Sequence, residues 1–102
     1  MNSTVFVFAP SDGRFNLSSA ESFGKVLHVD LGFGIFQTDQ LNQALCATAK
    51  AIDPDRDYIA VTGNTLTVSL AISAAMAEHG KVRLLIFDAR SSRYVERTIH
   101  SC

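Results

Sequence analysis

Residues Tyr58–Asp88 read YIAVTGNTLTVSLAISAAMAEHGKVRLLIFD. An apolar run stops at Thr62-Gly63-Asn64, a run of small residues follows, and a second apolar run ends at Asp88. Strand, helix and strand within about 30 residues make a βαβ unit. Its crossover is expected to be right-handed, which makes the two strands parallel. Asn64 or Thr65 is placed to cap the helix over Thr65–His79, and Gly80 falls where a left-handed C-cap belongs. The stretch KVRLLIFD (Lys81–Asp88) is then the next strand.

Working outward, RYVERTIH (Arg93–His100) alternates enough for a half-exposed strand. It follows Asp88 after about four residues, so it pairs antiparallel with the strand before it. Glu96 and Arg97 suit an edge better than the middle of a sheet. Upstream, TDQLNQALCATAKAI (Thr38–Ile52) is an amphipathic helix with Leu41, Ala44, Leu45, Thr48 and Ile52 on one face. Thr38 or Asp39 is its expected cap, and Asp53-Pro54 ends it. TVFVFA (Thr4–Ala9) and KVLHVDL (Lys25–Leu31) are strands, the first apolar enough to lie inside the sheet. Residues 10–24 form a polar loop with one helical turn at Ser18–Phe23, and GFGIFQ (Gly32–Gln37) is a bulge, bend or loop. The expected fold is a small Rossmann-like α/β sandwich. It has a mixed, mostly parallel sheet of about five strands and two main helices, both on one face or one on each.

With 102 residues, a single domain over 1–102 is expected. Hydrophobic residues make up 47% and charged residues 19%, an ordinary globular balance. A net charge of −1 gives no general attraction to nucleic acid or to a membrane surface. The balance is uneven. Residues 1–80 hold four basic and eight acidic side chains, and residues 81–102 hold five basic and two acidic ones. Two cysteines, Cys46 and Cys102, are too few for a disulfide scaffold. No stretch approaches the roughly 20 apolar residues of a membrane span. A reducing cytoplasm is the expected location.

In open α/β sheets, ligands sit beyond the carboxyl ends of the strands. Three loops are expected there: Pro10–Asn16, Thr62–Thr65 and Asp88–Ser92. The middle one feeds a helix N-terminus, where free N–H groups and the helix dipole favour an anion. Thr62, Gly63, Asn64 and Thr65 would form the site, with Asp88 nearby and Arg14 and Arg90 reaching in to meet phosphate. The same residues equally describe a strand-to-helix turn that only caps its helix. No full glycine fingerprint and no Gly-Lys-Thr/Ser sequence is present, so capping is the stronger of the two readings.

Other chemistry is sparse. His28, His79 and His100 do not fall at metal-ligand spacing, and neither cysteine has a metal-type neighbour. His79, before Gly80, is placed to bond free helix carbonyls. Asp88 is either a strand-end carboxylate or a turn residue bonding its own backbone two positions on. Asp30 is the other carboxylate expected at a strand end. The first and third strands end in Ala9-Pro10 and Thr62-Gly63 rather than in acids, which removes the paired carboxylates of a phosphoryl-transfer site. Ser11 and Ser91 have no evident base. Tyr94 is a lone aromatic amid Arg90, Arg93 and Arg97, unlike a nucleic-acid reader.

The segment DYIAVTGN, the Ala-rich helix and GKVRLLIFDARSSRYVERTI resemble small uncharacterised α/β proteins of tailed phages and prophages. The resemblance rests on Asp57, Tyr58, Ile59, Thr62, Gly63, Gly80, Lys81, Val82, Asp88, Arg90 and Tyr94, in the C-terminal half. It implies a phage origin and, since small phage proteins often act by binding host components, a non-enzymatic binding protein. The leading expectation is contact with a protein partner, including a second copy of the chain. The alternative is a nucleotide or other anion at Thr62–Thr65, and the third is an enzyme using Asp88. No cofactor is implied.

Overall fold

A computed structural model describes residues 3–9, 17–29 and 37–101. The elements are β1 (Thr4–Phe8), a 3-10 turn at Ala20–Ser22, β2 (Lys25–His28), α1 (Thr38–Ala51), β3 (Tyr58–Gly63), α2 (Thr65–His79), β4 (Lys81–Asp88) and β5 (Arg93–His100). The five strands form one sheet in the order β2-β1-β3-β4-β5. β1 is parallel to both neighbours, and β3 is parallel to β4. β5 is antiparallel to β4 along its full length, from Lys81 opposite His100 to Asp88 opposite Arg93. The sheet is therefore mixed and mostly parallel, with β1 inside and β5 at an edge.

Chain direction decides which face each connection covers. The steps from β2 to β3 and from β3 to β4 run the same way along the sheet, so right-handed crossovers put α1 and α2 on one face. They pack there against each other and over Phe6, Phe8, Ile59, Val82 and Leu84. The step from β1 to β2 runs the other way, and its described part, residues 17–23, lies on the opposite face. Leu17, Ala20 and Phe23 cover Val5, Val7, Tyr58, Ala60 and Leu85.

α1 buries Leu41, Leu45 and Ala49, with Ala44 and Thr48 half-buried beside them. Ala49 belongs to this face although the spacing argument passed over it. Neither Thr38 nor Asp39 holds the cap position; Gln37 does. In α2 the alanines do the packing, with Ala71, Ala74 and Ala75 buried beside Val68. Small side chains let the helix lie close to the sheet and to α1. Thr65, Ser69 and Ser73 face solvent. Gly80 is left-handed at φ 75°, and its N–H reaches Met76 O at 2.8 Å. His79 does bond a helix carbonyl, but a neighbour's: its Nε2 donates to Ala49 O of α1 at 2.7 Å, tying the two helix ends together. His28 is half-buried and its ring donates to Ala9 O. Among the described residues, no helix is long and apolar enough to cross a membrane.

Candidate functional site

The β3–α2 turn lies at the carboxyl end of the sheet, between β1 and β4. Gly63 has φ 123°, a region that side-chain-bearing residues rarely adopt. A Cβ there would stand 2.7 Å from Phe8 O and 3.4 Å from Ala9 Cβ. What approaches Gly63 is the backbone of β1, at an irregularity in the β1–β3 register between Phe6 and Phe8. Asn64 is the N-cap, and its Oδ1 accepts from Leu66 N–H at 3.0 Å and Thr67 N–H at 3.2 Å. Val68 N–H bonds Asn64 O, closing the first α-helical turn. An anion at this helix N-terminus would have to displace Asn64 from two of its donors. Thr62 Oγ1 turns instead toward the Tyr94 hydroxyl at 2.9 Å, and Thr65 is exposed at the first helical position.

Asp88 behaves as a turn residue. Its Oδ1 accepts from Arg90 N–H and its Oδ2 from the Ser91 hydroxyl, both at 3.1 Å. Ser92 completes the turn in the left-handed region, at φ 55°. Arg90 is exposed on that turn. Arg14 and the whole loop Pro10–Asn16 lie outside the described residues, as do Asp30 and residues 32–36 of the GFGIFQ stretch. Thr62, Gly63, Asn64 and Thr65 are therefore together, while Asp88 and Arg90 share a separate turn one strand away.

A polar network that sequence spacing did not reveal lies at the other end of the sheet. Arg83 Cζ stands 4.1 Å above the Tyr58 ring. The same guanidinium donates to the Tyr58 hydroxyl, to Glu96 Oε2 at 3.1 Å and to Asp55 O at 2.6 Å. Tyr58 in turn donates to Glu96 Oε1 at 3.2 Å. Burial pushes the Tyr58 hydroxyl above its ordinary pKa, with the Glu96 charge adding to the shift and Arg83 opposing it. Lys81 bonds Asp55 and, through that bond and its charge, holds the carboxyl below its usual value. Three strands are pinned together here, β3 by Tyr58, β4 by Arg83 and β5 by Glu96.

The helices leave the β4–β5 end of their face bare. Ile86 is 41% exposed and Ile99 38%. Alternation puts both on the same face as Val82 and Leu84. Phe87, also 41% exposed, stacks edge-on against Tyr94 on the other face, with centroids 5.4 Å apart. An open depression of about 300 Å³ is lined by Ile86, Phe87, Asp88, Val95 and Arg97.

Sheet order, helix placement and bare edge together define a small α/β protein built on a mixed five-stranded sheet. The chain belongs to the family described as Phage Pam3 gp32-like protein, which it matches over residues 4–101. That match extends well beyond the C-terminal half on which the resemblance to phage proteins rested. No curated protein and no solved structure matches the chain.

Proposed function

We propose that this small phage-family protein acts by protein–protein contact rather than by catalysis, through the β4–β5 end of its sheet. The observation that carries the reading is the exposure of Ile86 and Ile99, with half-buried Val95 opposite Ile86 and Arg97 between Val95 and Ile99, on a face that ends in a full-length edge strand. Exposed apolar surface rimmed by polar residues is characteristic of interaction sites. The catalytic alternative has less support, because both oxygens of Asp88 are engaged by its own turn. The anion alternative at Thr62–Thr65 requires Asn64 to yield its cap.

A photo-crosslinking residue at position 86 tests this in cells carrying the phage genes. It is expected to give protein adducts, whereas the same group at the exposed Lys50 on α1 is not. Absence of adducts at position 86, or a thermal shift of several degrees with millimolar nucleotides, would contradict the reading.

A further inference from the structure

Hydrogen-bond direction alternates along β5. Ser101 N–H bonds Gly80 O, directed toward β4, in a ladder that runs unbroken through Arg93. Alternate residues in an antiparallel strand point their N–H and C=O groups to opposite sides. Arg93, Val95, Arg97 and Ile99 therefore bond inward to β4, and Tyr94, Glu96, Thr98 and His100 point outward. The outward N–H of Tyr94 fits this parity, bonding Ser19 Oγ at 3.2 Å. Ser19 thus covers the start of the edge. Beyond it, Arg97, Thr98, Ile99 and His100 are all exposed. The outward positions beyond it are Glu96, Thr98 and His100, with Thr98 at their midpoint. Arg97 Nη1 donates to the outward Glu96 O at 2.6 Å, a bond that a partner strand's N–H would share or displace.

We propose that the occupant of this edge is the β5 strand of a second copy, paired antiparallel about a two-fold axis at Thr98. The inference rests on the protein-contact reading above and names its partner and register. Directly opposed residues share a face, so a two-fold pairing opposes residues whose numbers sum to an even total. Centring on Arg97 opposes two arginines, centring on Glu96 opposes two glutamates, and centring on Val95 opposes Arg93 to Arg97. Each of these sets like charges against one another, which destabilises a pair. Centring on Thr98 opposes the two Thr98 side chains to each other and Glu96, whose carboxylate Tyr58 and Arg83 already hold, to the partner's His100, with no like charges facing one another. Centring on Ile99 also opposes no like charges but pairs only Thr98 and His100 within β5, whereas centring on Thr98 places all three outward residues of each copy in hydrogen-bonded positions. Three donors per copy give six bonds across the axis. On the helix-bearing face, Ile99 meets the aliphatic stem of the partner's Arg97 and comes diagonally within reach of the partner's Ile99. Two copies would form one ten-stranded sheet, with five strands from each.

Light scattering on the full chain at about 100 μM, where a micromolar dimer is almost fully formed, is expected to give twice the chain mass of 11.1 kDa. Thr98→Pro removes an outward N–H without touching a bond to β4. It should give a monomer that still melts cooperatively. His100→Glu sets a carboxylate against the partner's Glu96 and should weaken association at least tenfold, while His100→Lys sets no like charge there and should stay dimeric. If Thr98→Pro fails to fold, the two His100 variants decide the matter. A native monomer, or a dimer indifferent to both Thr98→Pro and His100→Glu, overturns the proposal. A native monomer that still gives adducts at position 86 to a different protein overturns the dimer and leaves the protein-contact reading standing.

Discussion

The β3–α2 turn and the β5 edge make opposite use of polar groups. At the turn, glycine, asparagine and threonine gather in a pattern that suggests a ligand, yet their partners come from within the chain. Gly63 makes room for Phe8 O, Asn64 caps Leu66 and Thr67, and Thr62 meets Tyr94. At the edge, the side chains of RYVERTIH suggest nothing more than a solvated strand. Its backbone nevertheless presents outward donors and acceptors beyond the point that Ser19 covers. Side-chain types that advertise binding can be consumed by the fold, whereas an edge strand stays open because the fold has no further strand to lay beside it.

The second edge of the sheet sharpens the contrast. β2 has four residues against eight in β5, and a short edge offers little for another chain to pair with. The charges on β5 do not simply close it. Arg93, Glu96 and Arg97 penalise the self-pairing registers centred on Val95, Glu96 and Arg97, so they act as a filter on association.

Substitutions at the two regions should separate accordingly. The largest effect is expected from Gly63→Val. A side chain at φ 123° against Phe8 O combines backbone strain with overpacking and should lower stability by about 3 kcal/mol in urea unfolding. Arg83→Met removes the guanidinium that joins Tyr58 to Glu96 behind the edge. Those contacts are partly exposed, so the expected loss is about 1–2 kcal/mol in the same assay. Asn64→Ala should cost about 1 kcal/mol, and Asn64→Asp should restore the cap with added favourable charge at the helix N-terminus. Arg90→Ala should stay within about 0.5 kcal/mol of the native chain and leave nucleotide titrations unchanged, because Asp88 holds that turn through the Arg90 N–H rather than through its guanidinium. A weakening of nucleotide binding on Arg90→Ala would reverse the comparison, making the carboxyl end of the sheet the open site.

Much of the fold is legible in the sequence because its signals are local. α2, β4 and β5 begin and end where periodicity, the Gly80 cap and the ARSS turn place them. The antiparallel pairing of β5 follows from the length of that turn. What periodicity leaves open is anything decided across the sheet. Sequence spacing does not choose between one helix-bearing face and two; the shared direction of the β2-to-β3 and β3-to-β4 steps does. His79 bonding Ala49 O, thirty positions away, and Arg83 bridging Tyr58 and Glu96 depend on register between strands. The cap of α1 shifts to Gln37 although Thr38 and Asp39 are better capping residues, so the helix starts earlier than side-chain preference alone dictates. At the turn, spacing names Thr62, Gly63, Asn64 and Thr65 but leaves two readings, a cap or an anion site. Only the distance from Gly63 to Phe8 O shows what the glycine accommodates.

Amide hydrogen exchange along β5 tests the central claim most directly, because parity assigns each amide a different partner. Arg97 and Ile99 bond β4 within one chain and should stay protected at every concentration. Glu96, Thr98 and His100 should be protected at about 100 μM, then exchange roughly fivefold faster after dilution to about 1 μM, as the second copy departs. Fast exchange of these three amides at both concentrations would contradict the account, as would equal loss of protection at odd and even positions.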